Sequence, residues 1–479
     1  MKRAVVLLAV AAAGCMNPPK YAPPKPEMPA QWKVEEPFRL ATPKDDAPKG
    51  AWWERFGDPT LNELAGRALQ NSPTLAAAVG RLAQARANYT SVSGQQWPQI
   101  SAALRDSRTR ITQNRPLNNY SAPNFSTVQT DLFVGAQASY EVDFGGRVAS
   151  LVASAKASAE QSAADLETAR LLLVADLATA YFNLRQTDIE LDVLANSIDL
   201  QKRSLGVAQT RYQLGAGSAL DVAQQQALID TTLTQIDILR RQRASFENSL
   251  ATLTGTPAPS FSVKAEKRDI VLLDVPIGVP SDVLERRPDV ASAERAMAVA
   301  NAQVGVANAA FYPSINLGLS YGQESRRPNT LFDAPSLVWS GGVNLLQPLF
   351  DGGRIRGGYD ASRAGYEIAV ANYRRVVLGA MQEAEDGILG LAALERASNQ
   401  ANVAVESARR TLELVNARYE GGVANPLEVI VAQQQLLNAE RLASQLVGQR
   451  LITSVFLVKA LGGGWSVRQI SLLQQPIAQ

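Results

Sequence analysis

The sequence predicts a membrane β-barrel joined to a long α-helical barrel, both built from a unit of helix, strand, strand, long helix and helix that occurs twice. Three observations predict this fold class. Motifs recur along the 479 residues at a nearly constant offset, a heptad seam continues through a long segment of each copy, and short segments alternate apolar with polar side chains. Four such strands are too few to close a barrel, so the prediction also requires several copies of the chain.

The composition excludes several classes of protein. Lys and Arg number 47 against 45 Asp and Glu, so no basic excess is available to neutralise the phosphates of a nucleic acid. Histidine is absent, which excludes His-based triads and His-ligated metals, and a single cysteine excludes disulfides within the chain. Apolar residues reach 46% and aromatics only 6%, which favours long helices. We therefore expect a structural or conducting protein without a cofactor, not an enzyme.

The N-terminus has the features of a secretory signal. A short positive region precedes an apolar run over 4–13, which is too short to span a bilayer, and small residues stand directly before Cys15. We predict a signal peptide over 1–14 and a lipid on Cys15, because the one cysteine of the chain falls at this place. The alternative is an ordinary signal peptide with an incidental cysteine. By resemblance to lipoprotein sorting, Met16 in place of Asp predicts the outer membrane.

A proline-rich segment follows the signal. Nine of the 25 prolines lie between residues 18 and 48, and such a density forbids helices and central strands. We predict an extended strap over 15–57 between the lipid anchor and the folded body. Because a lipid alone binds membranes only marginally, a further part of the chain is expected to insert.

The folded body consists of two copies of one unit. The motif Arg211–Gly215 recurs as Arg418–Gly422, and Gly145–Arg147 recurs as Gly352–Arg354, each at an offset of 207. Further upstream, matching segments are separated by 215 residues. The difference between 215 and 207 gives the first copy eight extra residues, which we place in the loop between its two strands.

Each unit is predicted to begin with a short helix, at roughly 59–92 and 289–310. Asp58 followed by Pro59 suits an N-cap and the first turn of the first of these helices. Two strands follow in each unit, with predicted ranges of about 99–110, 130–143, 314–325 and 336–350.

The predicted strands alternate. In the third, Leu317, Leu319 and Tyr321 share one face, while Gly318 and Ser320 share the other. A soluble antiparallel sheet with one wet face would give the same pattern. We prefer a membrane barrel because the chain is predicted to be exported and lipidated. Two chains would supply eight strands and enclose almost no lumen, whereas three would supply twelve, so a homotrimeric pore is the preferred solution.

The long helices carry the clearest local signal. Positions from 173 to 212, taken at alternating spacings of four and three, hold mostly apolar or small side chains, as do the positions 207 residues later. This is the pattern of a coiled coil. A helix from about 147 to 212 would be about 98 Å long at about 1.5 Å per residue, too long for a globular domain.

These elements give the following organisation, in chain order: signal peptide 1–14, strap 15–57, first repeat 58–255 with its long hairpin at 147–253, connector 256–287, second repeat 288–461 with its long hairpin at 354–460, and C-terminal tail 462–479.

Motifs spread over the mature chain resemble the TolC-type outer membrane factors, and within them the lipoprotein (NodT/OprM-like) branch that serves resistance-nodulation-division (RND) efflux systems. No single motif is decisive, but their order and spacing are specific. The motifs are Trp53 to Leu61, Arg286 to Glu294, Asn301 to Pro313, Phe350 to Arg354, Ala460 to Trp465 and the two Arg-Tyr turns.

The resemblance implies a homotrimer with a twelve-stranded outer-membrane barrel and a twelve-helix tunnel through the periplasm. It also implies an equatorial domain formed by the strap, the connector 256–287 and the C-terminal tail 462–479. It also implies two partners, a periplasmic membrane-fusion adaptor and an RND-type inner-membrane transporter, together with contact to outer-membrane lipid. The chain would then be a passive duct that exports small molecules such as drugs, anchored by its lipid in the outer membrane. A duct for type I protein secretion and a non-conducting coiled-coil envelope lipoprotein are the alternatives.

The ends of the two hairpins, residues 211–222 and 418–429, are the predicted sites. Locally they are helix turns with Gly215 and Gly422 as left-handed C-caps and with Ser218 and Asn425 as N-caps. By resemblance, these ends also contact the adaptor, through Arg211, Tyr212, Gly215, Gly217, Arg418, Gly421 and Gly422.

The same resemblance implies that the hairpin ends constrict the pore. Tyr419 and Glu428 match the aromatic and acidic residues that close the periplasmic aperture in the family, and Asp221 takes the equivalent place in the first hairpin. A further acidic residue, usual three positions later, is Val431 here. We therefore expect Glu428, with Asp221, to carry the charge of the ring and to favour cations.

An enzyme is the remaining alternative class. Carboxylates are plentiful enough for a glycosidase-type pair, but the sequence has no glycine-rich phosphate loop, nucleophile elbow or metal-spaced cluster. Charged runs such as Arg240, Arg241 and Arg243 are interpreted as solvated helix faces.

Overall fold

The computed structural model describes residues 51–113, 127–266 and 287–463. The predicted signal peptide, Cys15, most of the strap, most of the connector and the tail beyond residue 463 lie outside the described residues. The described chain divides into two compact units. Unit 1 comprises residues 83–161 and 293–372, and unit 2 comprises the other described residues.

Helices and strands follow the predicted order, with the first helix divided in two. In chain order they are α1 (Pro59–Asn71), α2 (Pro73–Ser93), β1 (Gln99–Ile111), β2 (Thr127–Val142), α3 (Arg147–Gln213), α4 (Ala219–Leu253), α5 (Pro288–Ala309), β3 (Ser314–Ser325), β4 (Leu337–Leu346), α6 (Arg354–Glu420) and α7 (Pro426–Ala460).

The single helix expected over 59–92 is wrong, because it is interrupted at Ser72. This residue has an extended backbone, with φ −65° and ψ 122°. Pro73 causes the break, since it has no N–H to donate and disfavours helical geometry in the residue before it. The predicted N-cap is confirmed: the Asp58 carboxylate accepts hydrogen bonds from the backbone N–H groups of Thr60 and Leu61.

Unit 1 contains a four-stranded antiparallel sheet in the order β1-β2-β3-β4. The central pairing aligns Ala136 with Tyr321, and Tyr321 with Trp339 on the next strand. Strands β1 and β4 lie at the two edges of the described sheet. Each edge therefore presents backbone N–H and C=O groups that could pair with a further strand.

The register gives the sheet one mainly apolar and one polar face; beyond Leu104, β1 places Asp106, Arg108 and Arg110 on the first of these faces. Apolar side chains on the first face are largely exposed: Leu104 is 81% and Trp339 71% accessible. The first face includes Ile100, Leu104, Val134, Ala136, Ala138, Leu317, Leu319, Tyr321, Trp339, Val343 and Leu345. The second face includes Ser101, Arg105, Asp131, Gln137, Ser139, Asn316, Ser320, Glu324, Ser340 and Asn344. An apolar face this exposed in a single chain fits contact with lipid better than contact with water.

A glycine pair stands at the centre of the polar face. Gly135 lies opposite Gly322, and the ring of Phe133, only 5% accessible, covers both. A Cβ atom on Gly322 would lie 2.5 Å from the carbonyl oxygen of Val134. Neither strand could therefore carry a side chain here without moving.

The two hairpins have identical element lengths. Helices α3 and α6 each span 67 residues, and α4 and α7 each span 35. Carboxylates cap the starts of the long helices: Asp143 accepts from the N–H groups of Val148 and Ala149, and Asp351 from that of Ile355. Within the described ranges, no helix has the length and apolarity needed to cross a bilayer.

The helices of unit 2 enclose the predicted seam. Leu173, Leu177, Leu184 and Leu194 are buried, as the heptad pattern predicts, whereas the last seam position, Tyr212, is 51% accessible. One apolar cluster joins α3, α4 and α7 through Leu194, Ile198, Ile236, Leu239 and Leu437. A second joins α6 and α7 through Val405, Leu412, Ala432 and Leu436.

A buried polar chain ties the start of α1 to α3. The Tyr181 hydroxyl donates to Asp58 Oδ2 over 2.6 Å and accepts from Arg185 Nε over 3.0 Å. Arg185 also donates to Asp188 Oδ2 and to the carbonyl oxygen of Lys264. Two segments distant in sequence, those that contain Asp58 and Lys264, are thereby fixed to one face of α3.

Arg243 extends this chain and corrects a prediction. The expectation that Arg240, Arg241 and Arg243 form a solvated face is wrong for Arg243, whose side chain is only 16% accessible. Its guanidinium donates to Asp188 Oδ1 over 2.6 Å and to the carbonyl oxygen of Val263 over 2.7 Å. Asp188 therefore accepts from two arginines and joins α3 to α4.

The Arg-Arg-Pro-Asp motif has a comparable role in the second repeat. The buried Arg287 donates twice to the Asp289 carboxylate, to Glu383 on α6, and to the carbonyl oxygen of Ala460 at the end of α7. Burial opposes its charge, but the hydrogen bonds and charges of Asp289 and Glu383 outweigh that effect and raise the pKa of Arg287.

Candidate functional site at the hairpin ends

Both hairpin ends, residues 211–222 and 418–429, close by the same backbone turn. Gly215 has φ 74° and Gly422 has φ 76°, the left-handed conformation that glycine adopts without strain. The N–H of Ala216 donates to the carbonyl of Arg211, and the N–H of Val423 to that of Arg418. The N–H of Gly215 also donates to the carbonyl of Tyr212, and that of Gly422 to the carbonyl of Tyr419. Each end is therefore a Schellman motif.

Asp221 in the first end and Glu428 in the second each belong to a capping box. Ser218 and Asp221 form a capping box at the start of α4, in which Asp221 Oδ2 accepts from the Ser218 N–H over 3.0 Å. Asn425 and Glu428 do the same for α7, with 3.1 Å between Glu428 Oε1 and the Asn425 nitrogen. Asp221 and Glu428 therefore have a local structural role as well as the predicted role in the aperture.

The two ends contact each other through Arg211 and Tyr419. The Arg211 guanidinium lies over the Tyr419 ring, with its carbon 4.2 Å from the ring centre. It also donates to the Tyr419 carbonyl oxygen over 2.7 Å. The resemblance places Arg211 only on the adaptor surface, whereas the structure shows that it also joins the two repeats.

The equivalent tyrosines of the repeats differ in environment. Tyr419 is 7% accessible beneath Arg211, whereas Tyr212 is 51% accessible. The predicted aperture tyrosine is thus held in place, and its counterpart presents its ring to the surface.

Around Glu428, the charges are exposed and loosely paired. Arg418 lies 3.8 Å from Glu428 Oε2, and the side chains are 59% and 44% accessible. Val431, one turn further along α7, is 47% accessible. The second hairpin end therefore offers one accessible carboxylate followed by an apolar side chain.

Two further glycines complete the predicted contact surface. Gly217 packs tightly, since a Cβ atom there would lie 3.1 Å from the Tyr212 nitrogen. Gly421 has more room, with the nearest atom 3.4 Å from such a Cβ. Cys15, the predicted lipid attachment, lies outside the described residues.

Further along α3 from the hairpin end, a charged contact joins the two repeats. Glu190 is buried and accepts from Arg441 Nε over 2.8 Å and from the side-chain amides of Gln186 and Gln445. Arg441 Nη2 also lies 2.6 Å from Glu190 Oε1 in the ion pair. Heptad spacing alone does not reveal this pair, because its members are 251 residues apart. No cluster of three or more potential metal ligands occurs in the described part of the chain.

The polar face of the sheet carries an ion pair of its own. The Arg105 guanidinium donates to Asp131 Oδ2 over 2.8 Å and lies over the Phe133 ring. Opposite charges on neighbouring strands of one face suit a water-filled interior better than a lipid-facing surface.

The matches to known proteins extend over nearly the whole chain. Residues 64–256 and 279–463 match the family model described as outer membrane efflux protein. The pyoverdine export outer membrane protein OpmQ of Pseudomonas aeruginosa is 34% identical over 439 residues, covering 91% of each chain. The toluene efflux pump outer membrane protein TtgC of Pseudomonas putida is 31% identical over 474 residues, covering 97% of this chain and 96% of its own. The solved outer-membrane channel OprN superposes with a TM-score of 0.87 at 26% identity, over 94% of this chain and all of its own.

Proposed function

The chain belongs to the outer membrane efflux protein family, and from that membership we propose that it is the passive outer-membrane duct of a tripartite pump for small molecules. Its fold is that of the TolC-type outer-membrane channels, and its place is the outer membrane. In this proposal three copies form one pore, a periplasmic adaptor binds the hairpin ends, and an RND-type transporter supplies the energy. The duct itself catalyses no reaction.

The four-stranded sheet carries this proposal. One face is apolar and exposed, the other is polar, and both edges are strands of the same antiparallel sheet. Open edges are not tolerated in lipid, so the edges must pair with further copies. Three copies bring twelve strands, enough to surround a water-filled lumen lined by the polar face.

Conductance tests the duct directly. Purified protein added to a planar lipid bilayer is expected to produce discrete current steps. A preparation that is trimeric in detergent but never conducts would favour the non-conducting envelope lipoprotein.

Glu428 and Tyr419 are proposed to set the aperture at the hairpin ends. Support comes from the burial of Tyr419 beneath Arg211 and from the exposed Glu428 carboxylate. Glu428→Gln is a clean test, because glutamine retains the capping hydrogen bond to Asn425 and removes only the charge. We expect lower cation selectivity, with the loss diminishing at high salt as the charge is screened.

Matched variants sharpen this test. Asp221→Asn makes the corresponding change in the first hairpin and is expected to act in the same direction. Glu413→Gln removes an exposed charge that is paired with Arg410 along α6 and is expected to leave selectivity unchanged. Selectivity equal to that of the wild type in Glu428→Gln would contradict the assigned role.

The adaptor is proposed to dock on the hairpin ends, including Tyr212 and the turn glycines. A photo-crosslinking residue at Gln213 or Glu420 is expected to capture a periplasmic protein in intact cells. The same residue at the exposed Gln226 on α4 serves as the control. Equal capture at all three positions would show that the ends are not a specific docking site.

Lipidation of Cys15 is proposed from the N-terminal sequence. Mass spectrometry of the mature wild-type protein is expected to show an acylated N-terminal cysteine. Cys15→Ser is expected to lose the acyl groups and to remain in the precursor form. An unmodified N-terminus in the wild type would contradict the proposal.

A further inference from the structure

The mainly apolar face of the sheet becomes charged along β1. Ile100 and Leu104 are apolar and exposed, at 77% and 81% accessibility, and Asp106, Arg108 and Arg110 follow them on the same face. All three charged side chains are exposed in the single chain. A strand that faces only hydrocarbon would continue its apolar pattern, because a charge there is costly at the centre of a bilayer and cheap at its boundary. The charged half of β1 therefore requires a different surrounding.

Two aromatic side chains mark the place where the character of this face changes. Tyr321 on β3 pairs with Trp339 on β4, and through Ala136 both belong to the row of Ala102 on β1. Both rings are exposed, at 59% and 71% accessibility. Exposed Tyr and Trp form girdles where membrane strands pass from hydrocarbon to headgroups. The charged rows of β1, which lie beyond this pair, are therefore at the depth of the headgroups.

These charged rows lie at the end of the sheet that is remote from the helices. Helix α2 leads into β1 and α3 follows β2, while α5 leads into β3 and α6 follows β4. All four helices thus meet the sheet at one end, and β1 ends at the other, where Ile111 pairs with Thr127. Because the predicted tunnel of helices extends into the periplasm, the charged end lies at the outer leaflet of the outer membrane.

The residues after β3 add positive charge at the same end. Ser325, the last residue of β3, lies in the row of Asp106, and Arg326 and Arg327 follow it and are exposed. Strands β1 and β3 are two strand spacings apart, roughly 10 Å. We refer to the following side chains as the cationic rim: Arg108, Arg110, Arg326 and Arg327.

Acidic neighbours compensate the rim only in part. Asp106 lies on the same face of β1, and Asp333 lies between β3 and β4. Among the described residues of this end, the four arginines of the rim stand against these two aspartates, so a net positive charge remains. By contrast, Arg105 on the polar face is paired with Asp131 at 2.8 Å. The rim therefore suits an anionic ligand, whereas Arg105 is neutralised within the sheet.

The surface as a whole matches a phosphorylated glycolipid. The outer leaflet of an outer membrane is built from such a lipid, whose headgroup carries phosphate esters close to its acyl chains. Arginine binds phosphate through paired N–H donors. The acyl chains would lie against the apolar rows and the phosphates against the rim. An isolated phosphate would use the rim alone and would not account for its continuity with the apolar face.

We propose that the cationic rim, centred on Arg108 and Arg110, binds the phosphates of the outer-leaflet glycolipid, whose acyl chains cover the apolar rows of β1. Strand β1 is an edge of the described sheet, so the site borders the junction between two copies, and bound glycolipid is expected to stabilise the assembly there. Its place at a junction rests on the proposed assembly of three copies, whereas the binding itself does not.

Titration with lipid A, the membrane-embedded part of this glycolipid, tests the site in the full-length protein in detergent. Native mass spectrometry measures the affinity. Arg108→Gln and Arg110→Gln are each expected to weaken binding about five-fold, and the double variant about 25-fold, since each arginine near an anionic lipid surface contributes a similar increment. The wild type is expected to bind lipid A that lacks its phosphates as weakly as the double variant binds the phosphorylated form.

Arg105→Gln is the matched control, since Arg105 lies on the same strand but on the polar face. It is expected to keep the wild-type affinity, and trimer formation in detergent verifies that each variant folds. Wild-type affinity in the double variant, equal weakening in Arg105→Gln, or equal wild-type affinity for phosphatidylglycerol would overturn the proposal. A protein that binds lipid A as expected but never conducts would contradict the proposed duct and support the glycolipid site.

Discussion

Tyr181 shows how one side chain fixes distant segments of this chain. Its hydroxyl stands between a carboxylate and a guanidinium in a fully buried position. Burial, and then the hydrogen bond to Asp58, raise the pKa of Tyr181 to about 12, so the hydroxyl stays protonated as a donor. Burial opposes the charge on Arg185, but its bonds to Tyr181 and Asp188 raise its pKa overall.

Replacing Tyr181 by Phe is expected to lower the free energy of unfolding by about 1–3 kcal/mol, because Asp58 and Arg185 each lose a buried partner. The measurement is denaturant unfolding of the detergent-solubilised protein, followed by tryptophan fluorescence. Tyr212→Phe, at an exposed tyrosine, is the control and is expected to unfold like the wild type. Equal free energies of unfolding for all three proteins would show that the Tyr181 hydroxyl does not stabilise the fold.

The same residue predicts a pH dependence. In the unfolded chain Tyr181 ionises around its ordinary pKa of 10.0, whereas in the folded chain it stays protonated up to about pH 12. The folded state then binds more protons in this window, so stability falls as pH rises from 10 to 12, by up to about 3 kcal/mol. Over that range the stability advantage of the wild type over Tyr181→Phe is expected to shrink. An advantage that stays constant would contradict the raised pKa.

At the scale of elements, the sheet depends on a place where side chains are excluded. Gly322 and Gly135 face each other beneath Phe133, with no space for a Cβ atom on either. The heptad seam shows the opposite arrangement: Leu177, Leu184 and Leu194 fill the interior of the helical unit. The sheet therefore requires the absence of side chains at Gly135 and Gly322, whereas the helical unit requires large apolar side chains along its seam.

Gly322→Ala is expected to prevent the correct assembly of the sheet, because its Cβ would meet the backbone of β2 and not a side chain that can move. Gly318→Ala lies on the same face of the same strand with nothing within 4 Å of the added atom, and it is expected to assemble normally. The measurement is the yield of heat-modifiable oligomer in outer-membrane extracts. Similar yields from both variants would show that the glycine pair is not required.

At the scale of the whole molecule, one chain is incomplete. Its sheet ends in strands β1 and β4 and exposes apolar side chains such as Leu104 and Trp339 over one face. The apolar face suits lipid, but the unpaired strand edges do not, since their backbone N–H and C=O groups carry a large desolvation cost there. Completion has to come from other copies.

The assembly is expected to contain three chains. Native mass spectrometry of the detergent-solubilised protein measures this number directly, and chemical cross-linking is expected to show bands up to the trimer and no further. Two copies would provide eight strands with almost no lumen and would exclude the duct. A monomer would contradict the membrane barrel altogether.

The sequence by itself determined the features that depend on local spacing. The repeat, the alternating strands, the buried seam and the left-handed turn glycines Gly215 and Gly422 all follow from periods of two or of three to four residues and from the conformational freedom of glycine. The fold class was therefore predictable, and the family comparison confirms it.

Only the tertiary structure decided which side chains meet. Arg211 and Tyr419 are 208 residues apart, Asp58 and Tyr181 are 123 apart, and Gln225 and Gln433 are 208 apart. The sequence predicts a solvated Arg243 because a charge on a helix is usually exposed, yet its side chain is only 16% accessible and is paired with Asp188. A period along the chain fixes the face on which a residue lies, but its partner depends on which helices pack together and in which register, and that is set by the free energy of the whole fold.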